Sequence, residues 1–136
     1  MCSSDLDLGF VPAVRMLGRE LSERSGLRVD VLDVAFPAKL PAGLSLDLYR
    51  ILQETLSNVE RHARATRVAV RLQGSRRRLR VVVRDDGRGF DLARPGRAGL
   101  GLGHVRERAS LLGGQVRMRS KPGTGTEIGV SVPWAS

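Results

Sequence analysis

Apolar residues recur at helical spacing from residue 8 to about residue 24, where Val11, Val14, Leu17 and Leu21 fall on one face. Pro12 fits only the first turn of such a helix, and Ser25-Gly26 supplies its end. Arg28 to Ala35 alternates, with Val29, Val31 and then Val34 marking a short strand. Pro37 to Gly43 contains two prolines and is expected to be a loop. A second helix is predicted to run to about Ala63, with Ser45 as its N-cap and Asp47 in the first turn, where the helix dipole favours an acid. Leu48, Ile51, Leu52, Thr55, Leu56 and Val59 form its core stripe, and Glu54, Asn58, Arg61 and His62 form a polar stripe at i, i+4, i+7 and i+8. By spacing alone, that polar stripe is a solvated face.

Arg67 to Leu72 alternates as a strand, Gln73 to Arg78 is a turn, and Leu79 to Arg84 is a second strand whose Val81-Val82-Val83 run suggests burial on both faces. Asp91 to Ala98 has no periodicity and is expected to be a loop, and a third helix follows over roughly Leu102 to Leu112, ended by Gly113-Gly114. Gln115 to Ser120 and Thr126 to Val132 form a hairpin joined by Lys121-Pro122-Gly123-Thr124-Gly125. The strands come mostly as hairpins. This predicts an α/β (α+β) fold, a two-layer sandwich in which about three helices cover one face of a mixed, mostly antiparallel sheet. One domain is expected over 8–136, with 8–26 as a leading helix. Residues 1–7 are expected to be disordered or artefactual, and they lack the charged and apolar regions of a signal peptide.

Composition narrows the function classes. The 136 residues suit one domain, and no apolar run approaches the roughly 20 residues needed to span a bilayer. The single cysteine, Cys2, excludes an internal disulfide framework, and two histidines make a His-rich metal site unpromising. The net charge of +9 comes almost wholly from arginine, with Lys39 and Lys121 the only lysines. A basic surface invites a nucleic-acid reading, but aromatic residues are only 4% of the chain, too few for the stacking platforms of single-strand binders. The plainer reading is an arginine-rich surface that attracts acidic partners.

Three glycine-rich segments carry the candidate chemistry. They are Asp85-Asp86-Gly87-Arg88-Gly89, Gly99-Leu100-Gly101-Leu102-Gly103 and Gly123-Thr124-Gly125-Thr126. Glycine there allows close approach of a ligand to the backbone, and the second segment runs into a helix whose free N–H groups suit a phosphate. The chain lacks the Gly-Lys-Ser/Thr of a P-loop, and no Gly-x-Gly follows the first strand of a βαβ unit.

In order, a helix bearing Glu54 and Asn58, an acidic Gly-x-Gly loop, a Gly-Leu-Gly helix start and a Gly-Thr-Gly-Thr hairpin resemble the N box and three G boxes of the gyrase, heat-shock chaperone, histidine kinase and MutL ATPase superfamily. The match resembles most the ATP-binding catalytic domain of bacterial sensor histidine kinases. Residues 49–63, Val105-Arg106-Glu107-Arg108-Ala109 and Leu111-Leu112-Gly113-Gly114 are similar to the nitrate-sensor-like subclass, and residues 7–13 resemble the end of its dimerisation domain.

The resemblance implies a Bergerat-type ATP-binding fold and assigns roles. Asn58 becomes the Mg²⁺ ligand, its neutral carbonyl oxygen completing a shell of phosphates and water. Glu54 would orient a metal-bound water or assist proton removal from the acceptor histidine, and Arg61 and His62 would reach toward the phosphates. Asp85 would accept from the adenine amine, with Gly87 and Gly89 passing under the base and Thr126 lining the pocket. Gly99, Gly101, Leu102 and Gly103 would cradle the phosphates, and residues 91–98 would form the lid. His104 departs from the family pattern, which more often has a small residue there. The implied activity is transfer of the γ-phosphoryl of Mg·ATP to a histidine on a dimerisation domain absent from this chain. The implied partners are that domain in a homodimer and a response regulator with a LuxR-type DNA-binding domain. Direct nucleic-acid contact is not expected, the location is cytoplasmic, and any membrane attachment comes through upstream segments. The alternative is a non-catalytic or anti-sigma-factor-like nucleotide-binding regulatory module.

Overall fold

The structure, a computed structural model, describes residues 9–89 and 102–134, and for Leu102 the backbone alone. Helix α1 (Phe10–Ser25) buries Phe10, Ala13, Val14, Gly18 and Leu21 on one stripe. It leads into strand β1 (Arg28–Val34), then helix α2 (Ala42–Asn58), strand β2 (Arg67–Gly74) and strand β3 (Arg78–Asp85). Helix α3 (Leu102–Leu111) and strands β4 (Gln115–Lys121) and β5 (Gly125–Pro133) complete the described residues. Among these residues no helix is long and apolar enough to cross a membrane.

The strand order is β1-β2-β3-β5-β4, with β1 parallel to β2 and every other pair antiparallel. Helix α2 makes the crossover that the parallel pair requires. The mixed, mostly antiparallel sheet with three helices over one face is the predicted fold class. Val68, Val70 and Leu72 of β2 and Leu79, Val81 and Val83 of β3 meet the α2 stripe of Leu48, Ile51, Leu52, Thr55, Leu56 and Val59, and all twelve are buried.

Two local expectations are corrected. Helix α2 starts at Ala42, not after Ser45. Pro41 takes the cap position without a side-chain hydrogen bond, and the Ser45 amide donates to the Pro41 carbonyl at 2.9 Å. Ser45 is therefore inside the first turn, and Asp47 falls beyond it. Proline's fixed φ is compatible with the chain entering a helix, but it brings no side-chain acceptor for the free N–H groups. Val82 is the second correction. It is only partly buried, whereas Val81 and Val83 are 2% and 3% exposed. Strand alternation turns Val82 to the face that no helix covers.

That open face is built from the alternate residues of all five strands. Arg67 and Arg71 of β2 and Arg78, Arg80 and Arg84 of β3 stand on it, exposed. Arg28 of β1 and Arg117, Arg119 and Lys121 of β4 extend it to both edges.

Candidate functional site

The polar stripe of α2 begins as a regular i, i+4 pair. Glu54 and Asn58 lie on one face, both half-buried. Thr55, on the core side, returns its hydroxyl to the Ile51 carbonyl at 2.8 Å, so the buried turn before Asn58 is internally satisfied. The Asn58 Nδ2 is buried and has no hydrogen-bond partner among the described residues. A buried amide left unpaired costs about 1–3 kcal/mol. Rotating the amide by half a turn would present its carbonyl oxygen at the same point.

After Asn58 the helix widens into a π-turn, Val59–Ala63, and ends at Arg64 in the left-handed region at φ +53°. Such turns break the i, i+4 register and cluster at functional sites. Arg61 and His62 therefore do not simply continue the face of Glu54 and Asn58. Arg61 is exposed, with its Nε 3.4 Å from the Ser57 carbonyl, while His62 is half-buried. Glu60, between the α2 stripe and these residues, is forked by Arg24 of α1, with both N···O distances 3.0 Å.

Asp85 ends β3 and pairs with Thr126 of β5 in register. The residue is 5% exposed, and its carboxylate accepts the Gly87 N–H at 2.8 Å. Burial pushes the Asp85 carboxyl above its ordinary value, the backbone N–H groups of Gly87 and Thr126 oppose that, and the charge of Asp86 adds to it. Asp86, one residue on, points elsewhere. It accepts the Thr66 amide at 2.8 Å, the Thr66 hydroxyl at 2.7 Å and the Arg67 amide at 2.9 Å. These bonds lower its pKa to about 2.

The glycines join the parts. A Cβ on Gly87 would collide with the Ala63 carbonyl oxygen, and the Arg88 amide donates to that same oxygen at 2.7 Å. The acidic loop thus packs on the end of the π-turn. Gly89 has φ +62° and Gly125 φ +94°; a Cβ on the first would strike the Lys121 carbonyl and on the second the Asp85 carbonyl. The Gly123 amide closes the contact by donating to the Arg88 carbonyl at 2.6 Å. Thr126, 8% exposed, faces Ser120, their hydroxyl oxygens 2.8 Å apart.

Glu54 and Asn58 are therefore on one helix face, and Asp85, Gly87, Gly89 and Thr126 form one packed unit against the end of that helix. Gly99 and Gly101 lie outside the described residues, as do residues 91–98. Leu102 opens α3 as expected, and Gly103 in its first turn is exposed with open space where a Cβ would stand.

Three participants were not singled out as site residues in the sequence. His104 Nδ1 lies 3.6 Å from Glu54 Oε1, which brings the start of α3 beside the polar stripe. Ser120 becomes visible only when the β4–β5 register pairs it with Thr126. The carbonyl of Ala63 is a backbone group and leaves no side-chain signal. The glycine at position 87, which demands an absent Cβ, is the one clue to it.

A buried carboxylate at a strand end, glycine-welded to the end of a helix with an orphaned amide, defines a class. The chain belongs to the family of histidine kinase-, DNA gyrase B- and HSP90-like ATPases, whose model matches residues 43–136. Among particular relatives, it is 33% identical over 127 residues to the signal transduction histidine-protein kinase/phosphatase DegS of Brevibacillus brevis, covering 93% of this chain and 33% of that protein. It is 40% identical over 104 residues to the sensor histidine kinase LiaS of Bacillus subtilis, covering 76% of this chain and 28% of that protein. The chain spans a third or less of these relatives. The histidine kinase domain of a blue-light-activated kinase from Erythrobacter litoralis superposes with a TM-score of 0.75 at 22% identity, covering 96% of this chain and 68% of that one. Full-length ShkA, solved in complex with AMPPNP, gives 0.77 at 23% identity over 93% of this chain and 30% of that one. These two likenesses concern the fold.

Proposed function

We propose that this chain is the ATP-binding catalytic domain, residues 8–136, of a sensor histidine kinase of the nitrate-sensor-like subclass. It binds Mg·ATP and passes the γ-phosphoryl group to a histidine on a dimerisation domain of the same protein. The observation that carries the reading is the buried, unpartnered amide of Asn58, one turn beyond Glu54 on a helix whose end is welded to Asp85. A buried polar atom without a partner calls for an explanation, and a bound ion is one. The named relatives, sensor kinases themselves, support the same assignment.

Asn58 fits a magnesium ion. Its amide oxygen is hard and neutral, and Mg²⁺ takes few protein ligands when phosphates and water supply the rest. Bound there, the ion would neutralise charge developing on the phosphates. The chain's own residues do the remainder. Asp85 accepts a hydrogen bond from the adenine amine, where guanine would present a repelling carbonyl oxygen. Gly87 and Gly89 leave room for the base, and Thr126 closes the pocket wall. Gly99, Gly101, Leu102 and Gly103 offer backbone N–H groups to the phosphates at the start of α3. Arg61 and His62 stabilise the phosphoryl oxygens, and Glu54 takes the proton released as the acceptor imidazole nitrogen bonds to phosphorus and the bond to the ADP oxygen breaks.

The partners follow from that reading. They are the dimerisation domain, in a homodimer, and a response regulator, which we assign a LuxR-type DNA-binding domain. The domain works in the cytoplasm, whether or not the whole protein is anchored to a membrane.

A titration with ATP and GTP, with and without Mg²⁺, tests the site. Preference for ATP that depends on Mg²⁺ is expected, and equal affinity for the two purines would remove Asp85 from its role. Mixing the chain with the dimerisation domain and γ-labelled ATP tests the activity. Label on the acceptor histidine supports it. Firm ATP binding with no label would favour the regulatory module instead.

A further inference from the structure

The helices satisfy one face of the sheet, and the other face concentrates the charge of the molecule. Nine arginine and lysine side chains stand on it against two acids, Asp30 and Glu127. That excess of seven is most of the chain's net +9. Contacts confirm the orientation. Arg78 Nη1 bonds Ser131 Oγ at 3.1 Å, and Arg80 Nη2 lies 3.9 Å from where a Cβ on Gly129 would be. Arg28 and Arg67 sit directly opposite each other in the β1–β2 register, a like-charge pairing that costs stability. Among the described residues the ion pair on this face is Arg28–Asp30, at 3.6 Å. A surface of this kind is held in readiness for a polyanion.

We propose that the open face docks on an anionic lipid bilayer through its phosphate headgroups. The proposal does not depend on the nucleotide reading. Three observations select a bilayer over a nucleic acid. The five strands form one continuous layer, and strand register puts all nine cations on the same face of it. Among the described residues no aromatic side chain stands on that layer to stack a base, and no helix projects from it to enter a duplex groove. Leu32 and Val34 stand at the β1 edge of the same face, 56% and 37% exposed. They gain burial at a headgroup–acyl boundary and gain nothing from a phosphodiester chain.

The test is co-sedimentation of the full chain with vesicles of phosphatidylcholine alone or with about 30% phosphatidylglycerol, an anionic content sufficient to attract basic patches. Binding to the mixed vesicles alone is expected, with loss as salt rises from about 0.05 M to about 0.5 M. Each cation near a charged membrane is worth roughly fivefold in partitioning, so Arg80→Glu with Arg117→Glu should cut binding at least tenfold. Arg19→Glu with Arg50→Glu changes the net charge equally but on the helical layer, and should alter binding less than about twofold. Circular dichroism establishes that each pair folds, and Arg80→Gln with Arg117→Gln replaces a pair that does not. Failure to bind the mixed vesicles at low salt overturns the proposal. Equal loss in the helical-layer pair overturns it too, because net charge would then suffice. Tighter binding to duplex DNA than to the mixed vesicles, abolished by the open-face pair, would reassign the surface to nucleic acid.

Discussion

Asp85 and Asp86 are neighbours with opposite environments. Asp86 braces the start of β2 through three donors, while Asp85 is buried and accepts the Gly87 N–H. Their contributions to acid stability have opposite signs. The folded pKa of Asp86 is depressed from 3.8 to about 2, so its contribution is present above pH 4 and lost as pH falls through 2. The folded pKa of Asp85 is raised, so its contribution is greatest below its ordinary value and lost as pH rises through the folded one. Asp86→Ala is therefore expected to lower the melting temperature at pH 7 by a few degrees and to flatten the loss of stability between pH 4 and 2, checked by thermal melts across that range; an exposed group gives no larger effect. Asn58 shows the trade between stability and binding most directly. Asn58→Ala should remove the Mg²⁺-dependent part of ATP affinity, at least tenfold, while leaving the melting temperature unchanged or higher, because an unpaired buried amide is deleted. A calorimetric titration paired with a thermal melt separates the two effects, and a large drop in melting temperature would mean that the amide is structural.

At the scale of elements, the start and end of α2 carry the lesson. Ser45 sits four residues after Pro41 and donates its backbone amide to it, so its hydroxyl caps nothing. Ser45→Ala should cost under about 0.5 kcal/mol in denaturant unfolding, whereas a true N-cap would cost about 1. The π-turn at the other end has the reverse character, because its backbone is shared with the acidic loop. Gly87→Ala forces a Cβ onto the Ala63 carbonyl and should cost about 2 kcal/mol or more, with ATP affinity falling alongside. Full stability in that variant would show that the loop and helix end are not packed together. The Arg24–Glu60 fork ties α1 to the same turn, but both partners are solvated and it contributes little by itself.

For the molecule as a whole, the helices cover one face of the sheet and most of the net positive charge stands on the other. On the proposed reading the acceptor histidine lies on a separate dimerisation domain, so these residues by themselves are expected to turn ATP over barely above background. A tether ordinarily raises the local acceptor concentration to roughly millimolar, so restoring the dimerisation domain in one polypeptide should accelerate labelling of the acceptor histidine far beyond mixing the two at micromolar concentration. Equal rates for the tethered and mixed forms would remove proximity as the limiting factor.

The elements and the one-sided core were legible in the residue order, because helical and strand periodicities are local and a strand face with two valines or leucines every other residue must be covered. The Asp-x-Gly-x-Gly spacing likewise singled out Asp85 from Asp86. The α2 cap was misread because proline and serine both signal a helix start and only the backbone path chooses between them. The Val81–Val83 run was misread because composition cannot say how many layers cover a sheet. The π-turn, the His104–Glu54 contact and the Ser120–Thr126 pairing depend on residues far apart in sequence, so packing alone set them. The gathering of seven excess charges on one face belongs with them. Arginines scattered from 28 to 119 share a surface only once the strand register aligns their alternation, since parity within each strand is local but the alignment between strands is not.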